Sequence, residues 1–239
     1  MTDHRWLILA LEAPLMSMGG VTIDHIGVTR DFPALSMLTG LLGNALGFRR
    51  TEWQKHQALQ DRLVFAARRD WENPAGLLTD TQNAELQKGE KGWTTWGEPE
   101  GRGGASYSAP HRRRRDYHVD ARLIVALRLM PEDGALDIDR LSQALDYPAR
   151  PLFFGRKPCL PSSFLGRGFV IAPTAYEALR EVPGDGTMRT LWPIGEGPEE
   201  GLNVHRIIEL ADLRNWRTGL HGGARIVVEG ALEPKGMAS

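Results

Sequence analysis

Runs of apolar residues, separated by turns rich in glycine and proline, predict the first elements of this chain. An unbroken apolar run predicts a strand over residues 5–11. After a long loop, apolar residues at helical spacing predict a helix over 36–48 and a shorter one over 52–61. The next apolar run predicts a strand over 63–68. The chain therefore opens with the order strand, helix, helix, strand.

The apolar pattern then stops and returns much later. Residues 71–118 show no apolar periodicity and are rich in glycine, threonine, serine and charge. A long run of branched aliphatic residues predicts a strand over 119–129, and an amphipathic pattern predicts a helix over 138–145. A glycine-rich segment at 152–168 follows. Further short strands are predicted at 168–172, 188–194, 203–210 and 225–231.

This order of elements predicts an α+β protein with a ferredoxin-like domain of the RRM type. A structureless stretch of nearly fifty residues is uncommon inside a compact domain and is usually functional. Its ends join two consecutive strands, so we expect a protruding β-hairpin arm, a thumb, at about residues 71–118. Residues 1–150 are predicted to form the main domain, and residues 151–239 a smaller strand-rich C-terminal part that begins with the glycine-rich segment.

The first predicted helix carries glycines at a regular spacing. Ser36 stands where an N-cap belongs, because its hydroxyl can accept a free backbone N–H at the start of the helix. Gly40, Gly43 and Gly47 follow at intervals of three and four residues and form a stripe without side chains. Each glycine weakens a helix by roughly 1 kcal/mol relative to alanine. The stripe indicates close approach of a ligand or, for individual glycines, tight packing against another element.

Composition narrows the class of protein. Hydrophobic residues make up 41% and charged residues 25% of the 239 positions, as in an ordinary globular protein. The single cysteine, Cys159, rules out an internal disulfide and fits a reducing cytoplasm. Glu12 and Pro14 interrupt the N-terminal apolar run before it could serve as a signal-peptide core. We therefore expect a cytoplasmic protein with no membrane segment.

Positive charge is concentrated although the net charge is only −1. Between residues 102 and 128 there are seven arginines and two acids, and four of the arginines are consecutive at 112–115. The predicted arm also contains Trp93, Trp96 and Tyr107. Basic charge interleaved with aromatic rings is typical of single-stranded nucleic-acid binding, through phosphate contacts and base stacking. A solvated charged face is the alternative, and the two tryptophans could instead pack the arm or contact a protein partner.

The glycine-rich segment is a second candidate for phosphate contact. Gly155, Arg156 and Lys157 precede two adjacent serines, Ser162 and Ser163. Glycine permits close approach, and the cations and hydroxyls supply donors. A plain surface loop remains the alternative reading.

Metal and cofactor chemistry find little support in the sequence. The seven histidines form no H-x-x-x-H pair and have one cysteine to join them. The glycine spacing matches neither a dinucleotide-binding fingerprint nor a P-loop, and no nucleophile elbow is present. A metal-independent ribonuclease needs only a positioned general acid or base, which Tyr117, His118 or Lys157 could supply. That alternative stays open, and no cofactor is expected.

Four motifs, in the same order along the chain, resemble those of the CasD family, whose members are subunits of type I-E CRISPR Cascade. The motifs lie at residues 7–19, 32–47, 115–121 and 151–159. The resemblance covers roughly residues 5–170. It implies an RRM-like fold of the RAMP superfamily, with a β-hairpin thumb inserted between two strands.

The resemblance also implies a function. A CasD subunit holds the 5′ handle of the CRISPR RNA, beside the large subunit and the last backbone subunit, and meets target DNA only through the complex. A separate subunit cuts the precursor RNA, so this chain would be a non-catalytic binder in antiviral defence. The alternatives are a metal-independent endoribonuclease that processes precursor CRISPR RNA and a stand-alone RRM-like RNA-binding protein.

Candidate RNA-binding residues follow from the motifs and from the local charge. The resemblance carries over Ser36, Gly40 and Gly43 near the handle, Arg115 on the thumb, and Gly155 with Arg156 on the glycine-rich segment. Neighbouring cations complete the set. They are Arg49, Arg50, Arg112, Arg113, Arg114 and Lys157.

Overall fold

The computed structural model describes residues 2–84, 92–93, 99–100, 111–132 and 134–236. Twelve strands and four helices lie in these ranges. The helices are α1 (Leu35–Ala45), α2 (Trp53–Arg62), α3 (Ile138–Asp146) and α4 (Ala175–Glu181). The strands are β1 (His4–Met16), β2 (Thr22–Ile23), β3 (Ile26–Gly27), β4 (Leu63–Trp71), β5 (Leu77–Ala84), β6 (Gly92–Trp93), β7 (Pro99–Glu100), β8 (His111–Leu129), β9 (Gly166–Ala172), β10 (Met188–Pro193), β11 (Val204–Arg214) and β12 (His221–Leu232).

One sheet organises the molecule. Its strands follow the order β11-β12-β10-β4-β8-β1-β9, and neighbouring strands in this path run antiparallel. Strand β1, between β8 and β9, is buried on both faces because its alternate side chains enter two cores. Leu7, Leu9 and Leu11 pack with α1, α2 and α3 on one face, whereas Trp6 and Ile8 pack with α4 on the other. This two-sided burial explains why β1 reads as a continuous apolar run instead of an alternating one.

The C-terminal strands continue the same sheet and curl it around α1. β10 joins the sheet beside β4 through Thr190↔Arg68 and Leu191↔Ala67. β12 and β11 follow, and β11 returns to contact α1. The fold is thus a mixed α/β fold with a strand-rich, curled sheet. The predicted division at residue 150 stays a prediction.

The stretch predicted to lack structure contains regular strands. β4 runs to Trp71, β5 lies within the stretch, and β8 begins at His111, eight residues before the predicted start of that strand. β5 pairs antiparallel with the first half of β8, from Leu77↔His118 to Ala84↔His111. The polar sequence hid these strands because most of their described side chains face solvent, so apolar periodicity is absent. Trp96 and Tyr107 lie outside the described residues.

Most other element boundaries agree with the sequence prediction, and three elements outside the 71–118 stretch, β2, β3 and α4, were not predicted. α1, α2 and α3 fall within three residues of their predicted limits, as do β4, β9 and β10. β1 extends five residues further than predicted, β11 extends four residues further, and β12 begins four residues earlier. α4 has no counterpart in the prediction, because it is a short helix of 7 residues between two strands. In the described part of the chain, no helix combines the length and apolar character of a membrane span.

Candidate nucleic-acid interface

The start of α1 is capped from a distant strand. The N-cap position is Ala34, which makes no side-chain cap, so the prediction of Ser36 as N-cap is wrong. The carboxylate of Asp212 on β11 instead accepts a hydrogen bond of 2.9 Å from the backbone N–H of Leu35. Arg225 on β12 donates to the same carboxylate. Ser36 is left on the exposed side of the first helical turn, facing a groove.

The α1 glycines have different roles. A Cβ at Gly40 would lie 3.6 Å from the ring of Trp216, so this position leaves an open floor beside the indole. A Cβ at Gly43 would lie 2.9 Å from the ring of His56, so Gly43 allows α2 to pack closely on α1. Gly47 has a φ of +78° and ends the helix in the left-handed conformation that glycine favours. The packing alternative therefore accounts for Gly43, while Gly40 faces the groove.

The turn between β11 and β12 forms one wall of the groove. Two glutamines of α2 hold it: Gln60 accepts a hydrogen bond of 3.0 Å from the indole Nε1 of Trp216 and donates one of 2.9 Å to the carbonyl of Arg214. Gln57 accepts from the backbone N–H of Trp216 at 3.3 Å. The imidazole of His56 stacks on the indole with 4.6 Å between ring centroids. The position of this turn is therefore fixed by helix α2.

The glycine-rich segment forms the opposite wall. Gly155 has a φ of +71°, and a Cβ there would lie 2.2 Å from the carbonyl oxygen of Ser17 at the end of β1. Only glycine permits that approach. Asn44 of α1 donates a hydrogen bond of 2.6 Å to the carbonyl of Pro151, which joins the segment to the helix. Phe153 and Lys157 project from this wall into the groove lining.

Between these walls lies one continuous depression, which we call the basic groove. It consists of two connected cavities of about 380 Å³ and about 1000 Å³ that share Gly40, Asn44, Phe153, Arg214 and Trp216. The smaller cavity adds Gly19, Gly20, Ser36, Met37, Leu41 and Gly155. The larger adds Phe48, Arg50, Thr51, Trp53, His56, Arg150, Lys157, Arg217, Thr218 and Gly219.

The charged residues that line the basic groove are all positive among those described. Five of its lining residues are arginine or lysine, and none of the described lining residues is aspartate or glutamate. Arg214 and Arg217 lie over the rings of Trp216 and Trp53, at 5.2 and 5.8 Å from the ring centroids. Arg150 donates to the carbonyls of Gly47 and Phe48. An anionic ligand would meet uncompensated positive charge and aromatic faces here.

A second concentration of arginine lies where the β5–β8 pair joins the body. Arg156 stacks on Tyr117, 4.8 Å from its ring centroid, and donates to the carbonyls of Asp116 and Gly27, both at 2.9 Å. Arg115 lies beside Arg156, because both guanidiniums approach Gly27. A Cβ at Gly27 would fall 2.6 Å from one guanidinium nitrogen of Arg115. Arg113 donates to the carbonyl of Asp24 at 2.7 Å, and Arg112 to Arg114 are exposed.

The structure thus distributes the candidate residues over two places. Ser36, Gly40, Arg50, Gly155 and Lys157 line the basic groove. Gly43 lies beneath it, and Arg49 is exposed outside the lining. Arg156 and the run at 112–115 belong to the base and stem of the β5–β8 pair.

Sequence reasoning missed the wall made by the C-terminal turn. Trp216 with Arg214 and Arg217 came from a region without a recognised motif. The local pattern Arg214-Asn-Trp-Arg217, two arginines around a tryptophan, was the available signal. Phe48, Trp53, Arg150 and Phe153 were also missed, and they could not be placed near α1 from the sequence.

Three residues were named for the ribonuclease alternative, and two of them face opposite sides of the sheet. Tyr117 and His118 are buried and adjacent on β8, so their side chains point to opposite faces of the sheet. His118 lies within 2.8 Å of the Arg30 carbonyl and 3.4 Å of Arg69. Burial lowers the pKa of His118 from its ordinary value, and Arg69 adds to this effect. Lys157 is exposed in the groove. Over the described residues, no cluster of three or more histidine, cysteine or acidic side chains could hold a metal ion.

Comparison with known proteins gives a consistent result. A family model described as CRISPR-associated protein (Cas_Cas5) matches residues 6–228. The Escherichia coli (strain K12) protein named CRISPR system Cascade subunit CasD is 31% identical over 156 residues, which cover 65% of this chain and 67% of that protein.

Solved structures share the fold. A chain of a structure named CRISPR RNA-guided surveillance complex superposes with a TM-score of 0.68 at 20% identity, covering 98% of this chain and 93% of its own. A structure named Crystal structure of Cas protein gives a TM-score of 0.62 at 25% identity, covering 98% of both chains. The family match spans nearly the whole chain and the folds agree, so the protein belongs to the Cas5 family of CRISPR-associated proteins.

Proposed function

We propose that this chain is a non-catalytic, CRISPR-RNA-binding subunit of a Cascade-type surveillance complex, and that the basic groove holds the 5′ handle of the RNA. The observation that carries the proposal is the groove itself: five cations and several aromatic rings around a glycine floor, without an acid in the described lining. Phosphates would contact the cations, and unpaired bases would contact the rings. The relationship to CasD supports the same assignment.

The proposal extends to the architecture. The order β4-β8-β1-β9, with α1 and α2 between β1 and β4 and α3 between β8 and β9, supports a ferredoxin-like core of the RAMP type. The β5–β8 pair would be the stem of the thumb. Residues 151–239 would then act as a C-terminal part that completes the groove with its glycine-rich segment and its β11–β12 turn.

The proposed partners follow from the same reading. The chain would lie beside the large subunit and the last backbone subunit, in the cytoplasm, and would meet target DNA through the complex. The arginines of the thumb stem would contact RNA where it leaves the groove for the backbone. Their exposure on a strand that leads away from the body supports this geometry.

Co-purification tests this function directly. The tagged chain is expressed with a CRISPR array and the accompanying Cas proteins, and the bound RNA is sequenced. We expect a stoichiometric RNA with one common 5′ end derived from the repeat, together with partner chains. Absence of enriched RNA would overturn the proposal.

A cleavage assay separates the proposal from the enzyme alternative. The purified chain is incubated with precursor CRISPR RNA in EDTA, and we expect no specific cut within the repeat. Single-turnover cleavage that disappears in His118→Ala would establish a ribonuclease instead.

A further inference from the structure

We infer that Trp216, on the turn between β11 and β12, is a stacking platform for a nucleobase of single-stranded RNA in the basic groove. This inference rests on the proposed RNA-binding function and assigns a direct role in it to the C-terminal part of the chain. Stacking on an aromatic ring contributes about 1–3 kcal/mol per base and tolerates any base, because every base has a π face.

The platform is held rigidly before any ligand arrives. The indole Nε1 donates to Gln60, the backbone N–H donates to Gln57, and the ring stacks on His56 at an interplanar angle of 21°. All three partners lie on α2. These contacts fix both the position and the tilt of the ring. Stacking of a base therefore costs the protein little further conformational entropy.

The surroundings of the ring suit an RNA strand. Trp216 is half-buried and lines both cavities of the groove, at the point where they join. Gly40 on the facing helix leaves space beside the ring. Arg214 and Arg217 are exposed and flank the indole along the chain. The Arg214 guanidinium lies over the indole, 5.2 Å from the ring centroid, so a stacking base takes its place and the displaced cation can reach a neighbouring phosphate.

A packing role alone does not account for this arrangement. The contact with His56 and the hydrogen bond to Gln60 satisfy the inner side of the indole, yet over the ring in the open groove lies only the exposed side chain of Arg214, a cation that a base can displace. Trp71 offers a comparison within the chain. It is also an exposed tryptophan, 51% accessible, at the end of β4, and it does not line the basic groove.

The test compares an RNA that has bases with one that lacks them. Trp216→Leu keeps apolar bulk against His56 but removes the aromatic face, whereas Trp216→Phe keeps a smaller face. Trp71→Leu is the matched control. The affinity of the purified full chain for a twelve-residue oligoadenylate, and for a twelve-residue abasic ribose-phosphate strand, is measured at several salt concentrations.

The expected result is selective. Trp216→Leu weakens oligoadenylate binding about 5- to 150-fold, the range that corresponds to the stacking of one base. Its affinity for the abasic strand and its salt slope stay at the wild-type values, because no phosphate contact is lost. Trp216→Phe recovers most of the affinity, and Trp71→Leu matches wild type with both strands.

Two different failures can be told apart. Equal affinity losses for both strands, or no loss for either, would overturn the platform while leaving the groove as an RNA site. Wild-type protein that binds neither strand at low salt would overturn the proposed function itself. If Trp216→Leu does not fold, photocrosslinking of wild type to oligo-4-thiouridine decides: a crosslink within residues 215–217 supports the platform, and its absence rejects it.

Discussion

Two groups of cations in this chain meet opposite surroundings. Within the body, arginines are paired with carboxylates, either of neighbouring residues in the chain or of other elements. The pairs are Arg68–Asp70, Arg69–Glu72, Arg128–Glu196, Arg189–Asp31, Arg189–Glu229 and Arg225–Asp212. In the basic groove, Arg50, Lys157, Arg214 and Arg217 have no carboxylate partner among the described residues, and two of them lie over aromatic rings.

The pKa values of two carboxylates in the paired group reflect this difference. Burial alone would raise the pKa of Asp31 and of Glu229, yet both are lowered because neighbouring arginines donate hydrogen bonds to them and stabilise the charged form. Charge there is neutralised within the protein. Charge in the groove remains for a ligand, so the number of arginines in a segment does not by itself indicate where RNA binds.

The largest expected effect comes from breaking a buried pair. Asp212→Ala should lower the free energy of unfolding by about 3–5 kcal/mol, because it leaves the mostly buried guanidinium of Arg225 without its partner. It also removes the acceptor for the first N–H of α1. Urea denaturation measures the loss. Arg206→Ala, which removes an exposed partner of Glu229, is the control and should cost at most about 1 kcal/mol. Similar losses for the two would remove the distinction between buried and exposed pairs.

The second prediction concerns the groove. Lys157→Ala combined with Arg217→Ala should lower the slope of log affinity against log salt by about 0.7 for each cation with single-stranded RNA. The free energy of unfolding should change by less than about 0.5 kcal/mol, because neither cation has a carboxylate partner among the described residues.

Two exposed arginines outside the groove provide the matched control. Arg140→Ala combined with Arg206→Ala removes the same charge and should leave the salt slope unchanged. An equal reduction by both double variants would mean that RNA responds to net charge and not to the groove.

These contrasts also show how far sequence reasoning reached. The apolar runs predicted β1, α1, β4 and the C-terminal strands, since burial on both faces or on one helical face leaves a local pattern. The glycine helix and the glycine-rich segment, which the sequence singled out as candidate sites, both line the groove. The α1 cap was missed because its acceptor, Asp212, is 177 residues away in the chain.

The missing wall of the groove has the same explanation. Trp216 meets α1 and α2 only because the sheet curls after β10, and no local pattern in the sequence determines that curl. Arg156 was predicted from its neighbours in the chain as a phosphate contact. In the structure its guanidinium is engaged by the carbonyls of Gly27 and Asp116, which belong to other elements. In both cases the surroundings of the side chain depend on residues that are distant in the sequence.

A third, smaller effect is expected at the base of the β5–β8 pair, the proposed thumb stem. Arg115→Ala should impair RNA retention more than Arg113→Ala, although both remove one charge. Arg115 is half-buried beside Arg156 at the rigid base, whereas Arg113 is exposed further along the strand. A fixed guanidinium loses less entropy when it binds a phosphate or a base. RNA occupancy of reconstituted complexes at two salt concentrations measures the difference. Equal losses would reduce the run to a diffuse charged surface, and no loss would remove the thumb from RNA binding.

The smallest expected effect is a pH dependence of stability that arises from His118, which lies next to the paired arginine Arg69. Burial lowers the pKa of His118 below its ordinary value of 6.5, and Arg69 lowers it further, against the opposing effects of the Arg30 carbonyl, Asp31 and Glu72. The unfolded chain therefore binds a proton as pH falls through 6.5, while the folded chain does not. Stability is fully present above pH 6.5 and declines below it, until the lowered native pKa is reached.

The size of this decline can be bounded and measured. At pH 6 it is below about 1 kcal/mol, even if the native imidazole binds no proton. His118→Gln should remove this part of the pH dependence, because glutamine keeps a donor for the Arg30 carbonyl but does not titrate. Urea denaturation of both proteins between pH 5.5 and 7.5, with RNA affinity measured in parallel, tests the prediction. An unchanged pH slope in the variant would show that His118 does not titrate as its buried position requires. A change in RNA affinity at neutral pH would show that the paired group around His118 and the basic groove are not independent.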